Sequence, residues 1–142
     1  MEKKLSCILV IDDDEPTNFI STMLIEEAEC THHLEIADSG MKALNYLKKA
    51  TEEVGSKGDF IPPDLVFLDI NMPRMNGWEF LTEFRKISNG HALKPVIIML
   101  TTSLNPDDKQ RAENIPEIAD FENKPLTKEM IERIIRKYFK AA

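Results

Sequence analysis

Hydrophobic positions along this chain alternate between two patterns. Short unbroken apolar runs, Leu5 to Ile11, Leu65 to Leu68 and Val96 to Leu100, have the composition of strands buried on both faces. Between them, apolar residues recur every three or four positions, as on a helix. Pro16 to about Glu29 reads as the first helix, with Phe19, Ile20, Met23 and Leu24 at helical spacing and Pro16 in the first turn, where its missing N–H costs nothing. His33 to Ala37 is a short strand. Ser39 caps a second helix whose apolar positions are Met41, Ala43, Leu44 and Leu47. Thr51 to Pro63, with Gly55, Gly58, Pro62 and Pro63, reads as a surface loop.

The second half repeats the alternation. Pro73 to Gly77 is a turn, and Trp78 to Ile87 is a helix with Phe80, Leu81 and Phe84 inward. Asn105-Pro106-Asp107-Asp108 starts a helix poor in apolar residues, Ala119 to Glu122 is a strand, and Thr127 to Phe139 is a helix with Met130, Ile131, Ile134, Ile135 and Tyr138 on one side. Five β–α repeats predict an α/β fold: a parallel sheet with helices on both faces, joined by right-handed crossovers. The whole chain, 1–142 with a core of about 5–140, reads as one domain.

Composition narrows the function. Hydrophobic residues at 42% and charged residues at 30% fit a soluble globular protein, and a formal charge of −7 argues against direct nucleic-acid binding. No apolar stretch approaches the about 20 residues of a membrane span, and no signal peptide is evident, which predicts a cytoplasmic protein with no membrane partner. Cys7 and Cys30 form no metal-binding pattern and are expected to be reduced thiols.

Ligands of open parallel sheets bind at the carboxyl ends of the strands. Here those ends carry Asp12-Asp13-Asp14-Glu15, Asp69, Thr101-Thr102-Ser103 and Lys124-Pro125. An isolated acidic run is ordinary at a helix start. A second strand ending in Asp69 makes a hard-cation site the better reading, because converging carboxylates repel unless a cation such as Mg²⁺ joins them. Asp69 is then a candidate nucleophile toward phosphorus, with Lys124 and one of Thr101 or Thr102 facing the transferred group. The Lys124–Pro125 bond is expected to be cis, which an X-Pro pair adopts at modest cost.

These residues, together with the run Leu68-Asp69-Ile70-Asn71-Met72-Pro73-Arg74-Met75-Asn76-Gly77 and the Asn123-Lys124-Pro125 ending, give the chain a close resemblance to the receiver domain of two-component response regulators, from about Leu5 to Phe139. The resemblance implies a flavodoxin-like, doubly wound five-stranded parallel sheet with five helices, strand order 2-1-3-4-5. It implies Asp69 as phosphoacceptor and Mg²⁺ as cofactor, held by Asp12, Asp13, Asp69 and the backbone carbonyl of Asn71. Thr101 and Phe121 would be the switch pair and Lys124 the phosphate-contacting lysine. The donor would be a histidine kinase or histidine phosphotransfer protein. Output would pass through a face comprising Asn105–Pro116, Phe121 and the last helix, to a downstream protein target or a second copy of the chain. The chemistry would be confined to Asp69 itself, so the chain is not expected to be an enzyme on other substrates.

The chain departs from the commonest pattern of that family in several places. Asp14 adds a third carboxylate, Phe121 lacks the more usual tyrosine hydroxyl, and Thr102 stands where alanine is frequent. The Thr51–Pro63 loop is long, as in small receivers without an output domain, some of which partner phytochrome-type kinases. Two rivals remain at this stage. A Mg²⁺-dependent phosphohydrolase of the haloacid-dehalogenase type needs an Asp two residues after its nucleophile, where this chain has Asn71. A phosphorylation-independent pseudo-receiver would normally have lost the acid pair, Asp69 or Lys124, and all are present.

Overall fold

The computed structural model describes residues 4–52, 60–88 and 93–139. Its elements run β1 (Leu5–Ile11), α1 (Glu15–Ala28), β2 (Thr31–Ala37), α2 (Gly40–Glu52), β3 (Leu65–Leu68), α3 (Gly77–Ser88), β4 (Val96–Thr101), α4 (Pro106–Glu113), β5 (Ile118–Asn123) and α5 (Lys128–Tyr138). The five strands form one parallel sheet in the order β2-β1-β3-β4-β5. This is the flavodoxin-like arrangement expected from the sequence.

Alternation along the central strands divides the core in two. Leu9, Ile11, Val66, Leu68, Ile97 and Met99 face α2 and α3, against Leu44, Leu47, Phe80 and Phe84. Ile8, Val10, Leu65, Phe67, Ile98 and Leu100 face α1 and α5, against Ile25, Ile131, Ile134 and Ile135. Strands apolar at every position are thus apolar because both faces are covered.

Helix α1 corrects one expectation. Its inward face is Asn18, Ser21 and Ile25, whereas Phe19, Ile20 and Met23 are exposed, Phe19 to 65%. The helix is apolar on more than one side, so periodicity alone did not fix which side turns inward. Met41 is likewise exposed on α2. Helix α2 also outlasts the expected loop boundary, since Thr51 is still helical and donates its hydroxyl to the Leu47 carbonyl at 2.8 Å. Of the expected Thr51–Pro63 loop, residues 53–59 lie outside the described residues. Beyond them, Tyr46 on α2 fixes Ile61, donating to its carbonyl at 2.7 Å and accepting its N–H at 3.0 Å.

Helices α4 and α5 flank β5 unequally. Helix α5 buries three isoleucines, whereas α4 buries only Ala112. Both cysteines are free, and burial pushes the Cys7 thiol up to about 11, so that it stays protonated at neutral pH. No helix among the described residues is long and apolar enough to cross a membrane.

Candidate functional site

Register builds the site. Ile11 of β1 and Leu68 of β3 are paired neighbours, so the residues that follow them, Asp12 and Asp69, emerge side by side at the carboxyl edge of the sheet. Two backbone bonds hold them there, Asp12 N to Ala37 O at 3.1 Å and Asp69 N to Ile11 O at 3.0 Å. Strand β4 extends two residues past Met99, the partner of Leu68, so Thr101 reaches the same edge. Lys124 follows β5 directly, with its N–H on the Thr101 carbonyl at 2.8 Å and a cis bond to Pro125, as expected.

Asp12, Asp13 and Asp69 each offer a carboxylate oxygen within 4.8 Å of the others. Asp12 and Asp69 are buried and Asp13 is exposed, so the cluster opens to solvent on the Asp13 side. The Lys124 ammonium lies 2.5 Å from Asp12 Oδ2 and 3.4 Å from Asp69 Oδ1. One ammonium against three carboxylates leaves two negative charges uncompensated. Burial, then the neighbouring Asp12 charge, push the Asp69 carboxyl up to about 6 against the opposing pull of Lys124. An all-oxygen cluster carrying that surplus is the donor set of a hard divalent cation, and Mg²⁺ fits it.

Asp14, the third acid of the run, does not join the cluster. It is the N-cap of α1: its carboxylate accepts the Thr17 N–H at 3.0 Å and also the Thr17 hydroxyl, and those bonds hold its carboxyl below the usual range. The Asp14 N–H in turn bonds Asp12 Oδ1 at 2.9 Å. Thr101 is fully buried and Thr102 exposed. Asn71 is exposed in the loop after Asp69, and Phe121, paired with Met99, is half-buried against the cluster beneath α2 and α3.

That loop is tightly folded. The Gly77 N–H bonds the Ile70 carbonyl at 2.8 Å, and a Cβ at Gly77 would stand 2.6 Å from the Asp69 carbonyl oxygen, so only glycine lets the chain return this close. Asn76 and Glu79 then start α3 with reciprocal bonds, each side chain accepting the other's N–H at 2.9 Å. The Asn-x-x-Glu spacing that announces such a cap is present in the sequence. Arg74, with φ 68, sits between Pro73 and Met75, which are joined by a 2.7 Å N–H to carbonyl bond. This is a three-residue turn that a non-glycine residue adopts only under strain.

Sequence reasoning did not single out Asn18, and it placed Ser103 at the site edge only as the last residue of Thr101-Thr102-Ser103, with no role. Asn18 is buried and donates Nδ2 to the Asp12 carbonyl at 2.8 Å, which fixes the peptide between the two acids. Ser103 links the end of β4 to α4. Neither carries a spacing signal that sets it apart from ordinary polar positions.

The chain is similar to known proteins in sequence and in fold. The family model for the response regulator receiver domain matches residues 8–136. A two-component response regulator from Cytophaga hutchinsonii has a solved structure that superposes with a TM-score of 0.80 at 28% identity, covering 98% of this chain and 100% of that one. Response regulator Rcp1 of Synechocystis is 29% identical over 101 residues, which is 71% of this chain and 65% of that protein. A probable cyclic di-GMP phosphodiesterase of Vibrio cholerae is 32% identical over 129 residues, 89% of this chain but only 25% of that protein. The chain therefore spans a quarter of that relative's length, and the likeness extends to the matched segment alone.

Proposed function

The chain belongs to the response regulator receiver domain family, a signalling module rather than a conventional enzyme, and on that footing we propose that it is a switch phosphorylated on Asp69. The observation that carries the proposal is the convergence of Asp12, Asp13 and Asp69 with Lys124 on one partly open edge of the sheet.

Asp12, Asp13, Asp69 and the Asn71 carbonyl would hold Mg²⁺. When bound, the cation neutralises the carboxylates and shields the incoming phosphoryl oxygens. An Asp69 carboxylate oxygen attacks the phosphorus of a phosphohistidine. The new P–O bond forms as the P–N bond breaks, and the departing imidazole keeps the electron pair and takes a proton from solvent. Lys124, drawn from Asp12 toward the added phosphoryl oxygens, balances part of the new charge, and the Thr101 hydroxyl donates to another of those oxygens.

The output follows from the uneven anchoring of β5's neighbours. The face formed by Asn105–Pro116, Phe121 and α5 includes the least anchored helix, α4, so a shift there costs least. Phe121 has no hydroxyl, and its part in the shift is one of packing. A downstream protein, or a second copy of the chain, would read that face, and phosphorylation would change the population of an existing conformer.

The donor is a histidine kinase or a histidine phosphotransfer protein, in the cytoplasm. Its landing surface is the exposed stripe Phe19, Ile20 and Met23 on α1, which adjoins an apolar groove lined by Pro16, Ile20, Thr102, Lys124, Pro125 and Leu126. The groove shares Lys124 with the acid site, so a helix seated there brings its histidine to Asp69. The test is phosphotransfer profiling against candidate kinases with wild type and Asp69→Asn. Transfer from one kinase to wild type alone is the expected result, and equal labelling of both proteins would refute the assignment.

A further inference from the structure

The segment between β4 and α4 is organised around one residue. Ser103 donates its backbone N–H to Thr101 Oγ1 at 3.1 Å and its hydroxyl to Asp108 Oδ2 at 2.5 Å. The same hydroxyl accepts the Asn105 N–H at 3.2 Å, and the Ser103 carbonyl accepts Asn123 Nδ2 at 3.0 Å. Four bonds therefore tie the end of β4, the start of α4 and the end of β5 to a single residue.

Two features make this more than a local turn. Thr101 is fully buried at the acid edge, and a threonine hydroxyl has one donor and two acceptor positions. Ser103 occupies an acceptor position, which leaves the Thr101 proton available to an oxygen at the site while the serine stays attached. At the other end, α4 buries only Ala112, so its anchoring relies on polar bonds at its first turn. The bond from Ser103 to Asp108 is charge-assisted, the stronger class of such bonds. The packing that holds α4 independently of Thr101 is Ala112 and the Arg111 guanidinium 4.4 Å over the Trp78 ring, and it leaves the first turn to the polar bonds of Ser103 and Asn105.

We propose that Ser103 is the positioning residue through which the Thr101 hydroxyl and α4 move together. Displacement of Thr101 draws the Ser103 amide with it, and the serine hydroxyl carries the displacement to Asp108 and the helix. The event that displaces Thr101 rests on the reading of Asp69 as phosphoacceptor. The link itself exists without phosphorylation and can be tested without it.

Hydrogen exchange on the unphosphorylated full chain tests it, with Ser103→Ala, Thr101→Val and the double variant compared over α4 (106–113) and α5 (128–138). Each single variant breaks one joint of the same relay. Each is expected to speed α4 exchange by about two- to tenfold, the range set by one net hydrogen bond, and to leave α5 unchanged. The double variant should add nothing beyond the larger single effect, and Ser103→Thr, which keeps the hydroxyl, should restore wild-type exchange. The proposal is overturned if Thr101→Val leaves α4 at the wild-type rate, if the two effects multiply, or if α5 accelerates as much as α4. Phosphorylation of the same preparations is read by intact mass. A failure to phosphorylate leaves the exchange pattern standing and counts against Asp69 alone.

Discussion

Within a single residue, β1 and β3 pass from the most settled part of the molecule to the least settled. Ile8 to Ile11 and Leu65 to Leu68 are almost wholly buried among apolar side chains that ask nothing more of their surroundings. The next residues, Asp12 and Asp69, are equally buried yet carry like charges against each other, with one lysine between them. The interior rows are selected for packing, and any smaller side chain there loses contact and leaves a void. The acid edge is held in an unfavourable state by those rows. Such a conflict at a strand end is one that a bound divalent cation would relieve.

If that contrast holds, the two regions respond to substitution with opposite signs. Phe67→Ala, at the fully buried centre of β3, should lower stability by about 3–5 kcal/mol, read from the denaturant midpoint. Two residues along, Asp69→Asn should raise metal-free stability by about 1–2 kcal/mol, because it removes a raised, partly screened buried charge. A loss of stability in Asp69→Asn would erase the distinction between row and edge.

The same conflict gives a pH signature. The Asp69 carboxyl is raised from 3.8 to about 6, so between those values the folded state keeps a proton that the unfolded chain has released. Its favourable contribution is complete below the unfolded value and is lost as pH rises through about 6. Metal-free thermal midpoints of wild type relative to Asp69→Asn should therefore fall from pH 4 to pH 6 and level off above. Added Mg²⁺ should raise the wild-type midpoint more at pH 7.5 than at pH 5, since it competes with the proton for the same oxygens. A pH-independent difference between the two proteins would show that Asp69 carries no such conflict.

Smaller effects refine the boundary of the strained region. Arg74→Gly should stabilise by up to about 1 kcal/mol, because the left-handed φ no longer meets a Cβ, offset in part by the freer unfolded chain. Ile20→Glu, on the exposed stripe of α1, should change stability by less than about 0.5 kcal/mol. It should nevertheless slow phosphotransfer from a kinase while leaving labelling by a small phosphodonor intact. Equal slowing with both donors would move the landing surface elsewhere.

Much of this was legible in the sequence because strands buried on both faces announce themselves, and the residue that ends each one then falls at the ligand-binding edge. Asp12, Asp69, Thr101 and Lys124 were placed by that logic, and the structure brings Asp12, Asp69 and Lys124 into contact. The difference between Thr101 and Thr102 needed the pleat: Thr101 is fully buried and Thr102 exposed. The role of Asp14 needed three dimensions, because a carboxylate beside an acid pair and a helix cap look the same in one. The stripe on α1 was misleading for a different reason. Apolar spacing marks a helix, but where Asn18 turns inward to hold the Asp12 carbonyl and Ser21 is buried beside it on the same face, the apolar side is left facing solvent. Ser103 could be placed at a strand end but given no role, since its importance lies in the four partners that gather around it and not in its own chemistry.

The central claim, that the acid edge exists to take a phosphoryl group on Asp69, is tested most directly by intact-mass measurement after incubation with a small phosphodonor and Mg²⁺. Wild type should gain the mass of one phosphoryl group, chelation of the cation should prevent the gain, and Asp69→Asn should show none. Wild type that binds Mg²⁺ yet gains no mass, or Asp69→Asn that gains as much as wild type, would contradict it.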